Sequence, residues 1–221
     1  MSEMDILFDE WKKQVILDEG HFVEDGIIYP EMWDKAERKV LYVLKETNGY
    51  KGNIAKLIHD VVRVRPKDKL WKKSILNNIG RWSYGLLNYK DEAIHYKVAH
   101  KNRKTALLSC AFINIKKTAG KRTATKAVEE HAEKYGHFLR RQIALLNPDI
   151  IVFGGTYEII KQYVIPELSR MSPRIHKFEN VICVNANHPS CTLKRSVVYE
   201  RVIGSFDFFA KNQSLSCEST S

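Results

Sequence analysis

Lys39-Val40-Leu41-Tyr42-Val43-Leu44-Lys45-Glu46-Thr47-Asn48-Gly49 is the stretch that decides how this chain reads. Val40 to Leu44 is a short apolar run of β-branched and aromatic residues, the composition of a strand buried on both faces. Helix-like segments flank it, which predicts a strand inside a parallel sheet covered by helices. The run stops at Lys45-Glu46, and open α/β sheets bind ligands beyond the carboxyl ends of their strands. Glu46 is therefore a carboxylate where such a fold keeps its chemistry, although a lone loop Glu is as often merely solvated.

Upstream, Leu7, Trp11 and Val15 recur every four residues and predict a helix over 5–18 that stops at Gly20. Gly26 to Pro30 reads as a turn or short extended piece, and Pro30 suits the start of a short helix. Downstream, Asn53 is placed to cap a helix carrying Ile54, Leu57, Ile58 and Val61 that ends before Pro66. Trp71, Ile75, Ile79, Trp82 and Leu86 predict a helix over 68–88, with Gly80 and Gly85 as a break; the stripe reads as core rather than as a platform for bases. Residues 90–104 read as loop with some helix, and Thr105 to Ile115 as a second strand. A long helix is expected over 125–146. A buried strand from Asp149 then enters the glycine turn at Gly154-Gly155. A helix over 156–168, a fourth strand at 181–184 and a last helix over 196–211 complete the pattern. There is no internal repeat and no linker, so the expectation is one α/β domain over 1–211 with a parallel sheet of about four strands. The polar tail 212–221 is expected to be disordered.

The chain has 221 residues, 44% hydrophobic and 28% charged, enough for one sizeable core. No apolar run approaches the roughly 20 residues of a membrane span, and the acidic start Met1 to Asp5 lacks the layout of a secretory signal. A cytoplasmic protein without membrane contact is expected. Cys110, Cys183, Cys191 and Cys217 show no C-x-x-C pairing, which argues against a metal or iron–sulfur site; no cofactor and no disulfide is expected. The net charge of +10 makes a polyanion the default partner. Lys101, Arg103 and Lys104 precede one strand and Lys116, Lys117, Lys121 and Arg122 follow it, a stripe suited to tracking phosphates.

Glu46, Asn114 and His188 each sit just past an expected strand end, and ends of one parallel sheet face one edge. Singly, each has a plain explanation, such as a turn-forming Asn or a loop His before Pro. Together, and in this order, they resemble the uracil-DNA glycosylase superfamily over roughly residues 38 to 205. The family's first motif, Gly-x-x-Pro with an Asp, Asn or Glu near its third position, matches Leu44-Lys45-Glu46-Thr47. Its strand ending in a base-reading Asn matches Phe112-Ile113-Asn114-Ile115. Its His-Pro-Ser motif is intact as His188-Pro189-Ser190, and Asn147 to Gly155 is similar to its third strand and glycine turn. The resemblance implies a three-layer sandwich around a central four-stranded parallel sheet. It also implies hydrolysis of a base–sugar bond in a nucleotide flipped out of duplex DNA by a monomeric enzyme.

On that resemblance Glu46 stabilises the sugar cation and orients water, while His188 stabilises the departing base and Asn114 reads its edge. Lys45 and Asn48 would also meet the base. Leu193 is the candidate wedge, and Ser190, Lys194, Arg195, Lys116, Lys117, Lys121 and Arg122 are candidate DNA contacts. Leu44 and Thr47 replace the family's Gly and Pro. Asn48 stands where uracil-specific members carry a bulky ring that excludes a 5-substituent. That change points to a larger base, and some antiphage relatives excise glucosylated hydroxymethylcytosine; uracil repair is the alternative. Two other classes remain open: a non-catalytic DNA-binding relative, and an enzyme for a small phosphorylated substrate, which has only Gly154-Gly155 in its favour.

Overall fold

Val40–Leu44 is buried from Val40 to Val43, with alternate side chains going to opposite faces. Leu41 and Val43 enter one hydrophobic core, Val40 and Tyr42 the other. A computed structural model describes residues 1–47, 49–120 and 125–218, with side chains described as far as residue 213. In chain order the elements are α1 (Glu3–Glu19), β1 (Gly26–Ile27), α2 (Pro30–Asp34), β2 (Val40–Leu44), α3 (Ile54–Arg63), α4 (Ser74–Leu87), α5 (Tyr96–Ala106), β3 (Cys110–Asn114), α6 (Thr125–Leu146), β4 (Ile150–Gly154), α7 (Tyr157–Tyr163), β5 (Ser169–Arg170), β6 (Ile175–Phe178), β7 (Val181–Ala186) and α8 (Arg195–Glu218).

The seven strands form one mixed sheet in the order β1-β3-β2-β4-β7-β6-β5. β3, β2, β4 and β7 run parallel, with Leu44 opposite Asn114 and Gly154 opposite Ala186. β1 joins β3 antiparallel, while β6 and then β5 extend the other edge antiparallel. The sheet is thus larger than the four or so strands expected. The three added strands are two to four residues long, too short to leave a periodic signal. Strands apolar on both faces need cover on both. α1, α6 and α7 pack on one face through Leu7, Trp11, Phe138 and Ile160. α3, α4 and α8 pack on the other through Ile58, Ile79, Trp82 and Val202. No described helix is long and apolar enough to cross a membrane.

Local chemistry sets the helix starts. Ser2 Oγ accepts from Asp5 N while Asp5 returns a bond to Ser2 N, closing a capping box on α1. Asn53 Oδ1 accepts from Lys56 N to cap α3, as its position suggested.

The expected boundaries fail in four places, the first being the helix expected over 156–168, which stops at Tyr163. The 105–115 run is not all strand: α5 ends at Ala106, a 3-10 turn follows over Leu107–Ser109, and only Cys110–Asn114 is extended. A continuous apolar run cannot by itself separate a buried helix end from a strand. The 68–88 helix is split, because Asp68 caps a 3-10 turn over Lys69–Lys72 and Lys73 is extended before α4 begins. α8 runs on to Glu218, past the expected end at 211.

Gly80 and Gly85 do not break α4; they let neighbours approach it. A Cβ on Gly80 would lie 2.2 Å from the carbonyl oxygen of Arg103 on α5, whereas one on Gly85 would meet only side-chain tips of α8. Gly80→Ala is therefore expected to destabilise. Overpacking costs about 1–3 kcal/mol, which outweighs the ~1 kcal/mol that Ala gains over Gly in helix propensity. A urea melt of the variant that matches or exceeds the wild type would show slack between α4 and α5.

Candidate active site

Parallel pairing brings the carboxyl ends of β2, β3 and β7 to one edge of the sheet. Glu46 lies two residues past β2, Asn114 is the last residue of β3, and His188 lies two residues past β7.

Glu46 and Asn114 line one cavity of about 220 Å³, walled otherwise by Thr47, Lys73 and a majority of apolar side chains such as Leu44, Leu57, Ile75 and Phe112. The Oε2 atom of Glu46 is buried and has no hydrogen-bond partner. The nearest cation, Lys116 Nζ, is 3.7 Å away, beyond hydrogen-bond length. Burial holds the Glu46 carboxyl above its ordinary pKa, with Lys116 and then Lys45 pulling the other way. Gly120 closes over this carboxylate: a Cβ there would fall 1.7 Å from Oε2, so no other residue fits without displacing Glu46.

Asn114 is 4% exposed and is held by a carboxylate the sequence did not flag. Asp25 Oδ2 accepts from Asn114 N at 2.7 Å and from its Nδ2 at 3.4 Å. Asp25 Oδ1 accepts from Lys117 Nζ at 2.5 Å and Gln142 Nε2 at 3.0 Å. With Nδ2 committed to Asp25, Asn114 Oδ1 is the atom left to accept from a ligand.

His188 faces a second, more polar cleft of about 350 Å³, shared with Lys45, Glu129, Thr156, Asn185 and Asn187. The His188 backbone passes close to Gly155, whose φ of +74° turns the chain there and whose missing Cβ would stand 3.1 Å from His188 Cβ and 3.2 Å from its N. The N–H of Ser190 donates to His188 Nδ1 at 3.2 Å, and Ser190 Oγ lies 2.7 Å from the same atom. A backbone N–H can only donate, so Nδ1 is unprotonated and the neutral ring carries its hydrogen on Nε2. Burial, and then Lys45, lowers the His188 pKa and keeps the ring neutral.

The three residues thus share an edge but not a cavity. Leu44 stands between the two spaces: it lines the apolar one, and its Cδ2 and the Cδ of Pro189 both approach the point where a Cβ on Gly154 would sit, at 2.6 and 3.2 Å. Lys45 bridges them electrically, acting on both Glu46 and His188.

Two expected DNA contacts are corrected. The Lys117 side chain is fully buried in its pair with Asp25, and Lys116 is nearly so, donating to Thr118 Oγ1 at 2.6 Å. Buried in these contacts, neither ammonium is presented to a phosphate backbone. Ser190, Lys194 and Arg195 are exposed on the loop after His188 and at the start of α8, and Leu193 is 40% exposed beside them. Lys45 is half-buried, with Nζ 3.4 Å from Thr125 Oγ1. Asn48, Lys121 and Arg122 lie outside the described residues. Asp25, Gln142 and the Glu19–His131 pair beside Lys116 were missed. Nothing local marks them, because each acts on a partner far along the chain. No protein-family model and no curated protein matches this sequence.

Proposed function

We propose that the chain is a DNA glycosylase that hydrolyses the N-glycosidic bond of a flipped-out pyrimidine nucleotide and leaves an abasic site. The observation that carries this reading is a buried, hydrogen-bond-free carboxylate oxygen at Glu46 beside an Asn114 whose amide is locked in one orientation. Glycosidic bond breaking develops positive charge on the sugar and negative charge on the base. Glu46 faces the first and takes a proton from water as the water oxygen bonds to the sugar carbon. The bonding pair leaves with the base, whose anion is stabilised by His188 Nε2–H. Asn114 Oδ1 accepts from a ring or exocyclic N–H of the base. Leu193 enters the duplex as the wedge, and Ser190, Lys194 and Arg195 hold the flanking phosphates.

The fold assigned with this reading is the three-layer arrangement of the uracil-DNA glycosylase superfamily, with β3, β2, β4 and β7 as its parallel core. Two targets fit the site differently. The apolar cavity suits the faces of an unsubstituted pyrimidine such as uracil. A hexose on the 5-position needs polar partners, and the cleft of Lys45, Glu129, Asn185 and Asn187 has them. That cleft favours glucosylated hydroxymethylcytosine, an antiviral setting, over uracil repair. Mass identification of the base released from glucosylated, hydroxymethylated and uracil-containing duplexes decides the matter. Release of uracil alone reverses the choice of target, and tight DNA binding with no release from any duplex leaves a non-catalytic binding protein.

Lys116→Met provides a pH test of the same site. Lys116 favours the ionised form of Glu46, so its removal raises a carboxyl pKa that burial has already raised. The acid limb of base release is expected to move to higher pH, with the plateau above it preserved. An unmoved limb would mean that Glu46 is not the group being titrated.

A further inference from the structure

Arg81 on α4 is 1% exposed, yet no carboxylate meets it. Its Nε donates to His100 Nδ1 at 3.1 Å and its Nη1 to Asn78 Oδ1 at 2.5 Å, both uncharged acceptors. Its Nη2 is buried without any hydrogen-bond partner. Arg103 on α5 repeats the pattern, donating from Nε to Asn77 Oδ1 at 2.6 Å and from Nη1 to the His100 carbonyl. Both guanidinium groups bond to the same residue, Arg81 to the His100 ring and Arg103 to its carbonyl, and the charge of Arg103 acts on Arg81. Burial, then Arg103, Arg81 and Arg195, keep His100 neutral. None of the ion pairs among the described residues involves Arg81, Arg103 or Arg195.

A buried guanidinium without a counter-charge is strongly disfavoured, and removing a partner from a buried pair is among the costliest changes in a fold. Arg81 is such a group, and with half-buried Arg103 beside it, in a chain whose net charge is already +10, it calls for an anion. We propose that Arg81, Arg103 and His100, with Arg195 at the rim, form a binding site for a phosphate group. The uncommitted N–H groups of half-buried Arg103 and the Nε2–H of neutral, half-buried His100 supply the donors, while Arg81, 1% exposed and with Nη2 unpartnered, supplies the buried charge. Guanidinium forks match phosphate oxygens better than any other side chain. The site is wired to the His188 loop, because the Asn78 that accepts from Arg81 donates through Nδ2 to Pro189 O at 2.7 Å. On the glycosylase reading, which this last step rests on, the bound group is a DNA phosphodiester beside the flipped nucleotide. Free inorganic phosphate is the other source of the same chemistry.

The test uses the full chain and two probes. Inorganic phosphate is titrated against sodium chloride at matched ionic strength while the melting temperature is followed. A phosphate-specific rise is expected for the wild type, lost in Arg103→Gln and weakened in Arg195→Gln, whose exposed side chain can be changed without harming the fold. No excess over chloride, or a full response in Arg103→Gln, overturns the site. The second probe is a short unmodified duplex, with log K followed against log salt. A slope smaller by about one in Arg103→Gln identifies the ligand as a phosphodiester. An unchanged slope with the phosphate response lost assigns the site to free phosphate. Neither measurement reads base release, so both stand if the chain proves to lack glycosylase activity.

Discussion

Glu46→Gln is expected to cut base release by about a hundredfold or more while raising the melting temperature at neutral pH. Both effects come from one circumstance. The carboxylate is buried against an apolar cavity, its Oε2 has no hydrogen bond, and Lys116 is too far away to supply one. The folded chain therefore holds the ionised carboxylate less well than the unfolded chain does, and the Glu46 pKa is raised by burial. A raised carboxyl pKa costs no stability below the ordinary glutamate range, where both folded and unfolded forms are protonated. The cost appears as pH rises through the ordinary value and is complete above the raised one. Gln keeps the shape without the charge, so the variant is the more stable protein at pH 7, and that advantage fades on acidification. Activity moves the other way, since Gln neither accepts a proton from water nor opposes a sugar cation. Duplex binding is expected to be unchanged, because Glu46 meets no phosphate. Single-turnover release, paired with melts at neutral and acidic pH, checks both halves. Undiminished release would remove Glu46 from the chemistry, and a melting difference that does not depend on pH would remove the burial argument.

The parallel strands and the edge they share were legible because their signals are local. Val40–Leu44, Cys110–Asn114, Ile150–Gly154 and Val181–Ala186 each carry a run of apolar residues long enough to read, and each has a polar residue or a glycine at its end or directly after it. β1, β5 and β6 were invisible because two to four residues carry no period. The basic residues after β3 show a different kind of limit. Sequence gives the charge of Lys116 and Lys117 but not the direction of their side chains, and solvated lysine is the ordinary case. What turns Lys117 inward is Asp25, a residue 92 positions upstream on the loop before β1, together with Gln142 and the ring of Trp11. The division of the site into an apolar and a polar space was equally hidden. It depends on Leu44, whose departure from the family's Gly was visible but whose contact with the Gly154–Pro189 corner was not.

Asp25→Ala is expected to be the most damaging single change in the molecule that leaves every proposed catalytic group in place. Asp25 takes four donors, from Asn114 N and Nδ2, Lys117 Nζ and Gln142 Nε2, all of them buried. Removing one partner of a buried ion pair costs about 3–5 kcal/mol, mainly because the other charge is left unpaired. Lys117→Met is the milder lesion, since Asp25 keeps three donors, whereas Lys117 without Asp25 keeps only Gln142 Oε1 at 2.9 Å and the face of Trp11. Burial already lowers the Lys117 pKa, and Asp25 is the group that holds it up. In Asp25→Ala the pKa falls further, so the unpaired lysine sheds its proton more readily when folded than when unfolded. The deficit is therefore largest at low and neutral pH and shrinks as pH climbs toward the ordinary lysine range. Asp25→Asn combined with Lys117→Met removes both charges and is expected to regain most of the lost stability, as replacement of a whole buried pair often does. The double variant still lacks the carboxylate that orients the Asn114 amide, so restored stability with poor base release separates the structural role of Asp25 from its positioning role. Urea melts of the single and double variants across pH measure the first, and single-turnover release measures the second. Equal losses for Asp25→Ala and Lys117→Met, flat in pH, would show that packing and not charge holds this corner together.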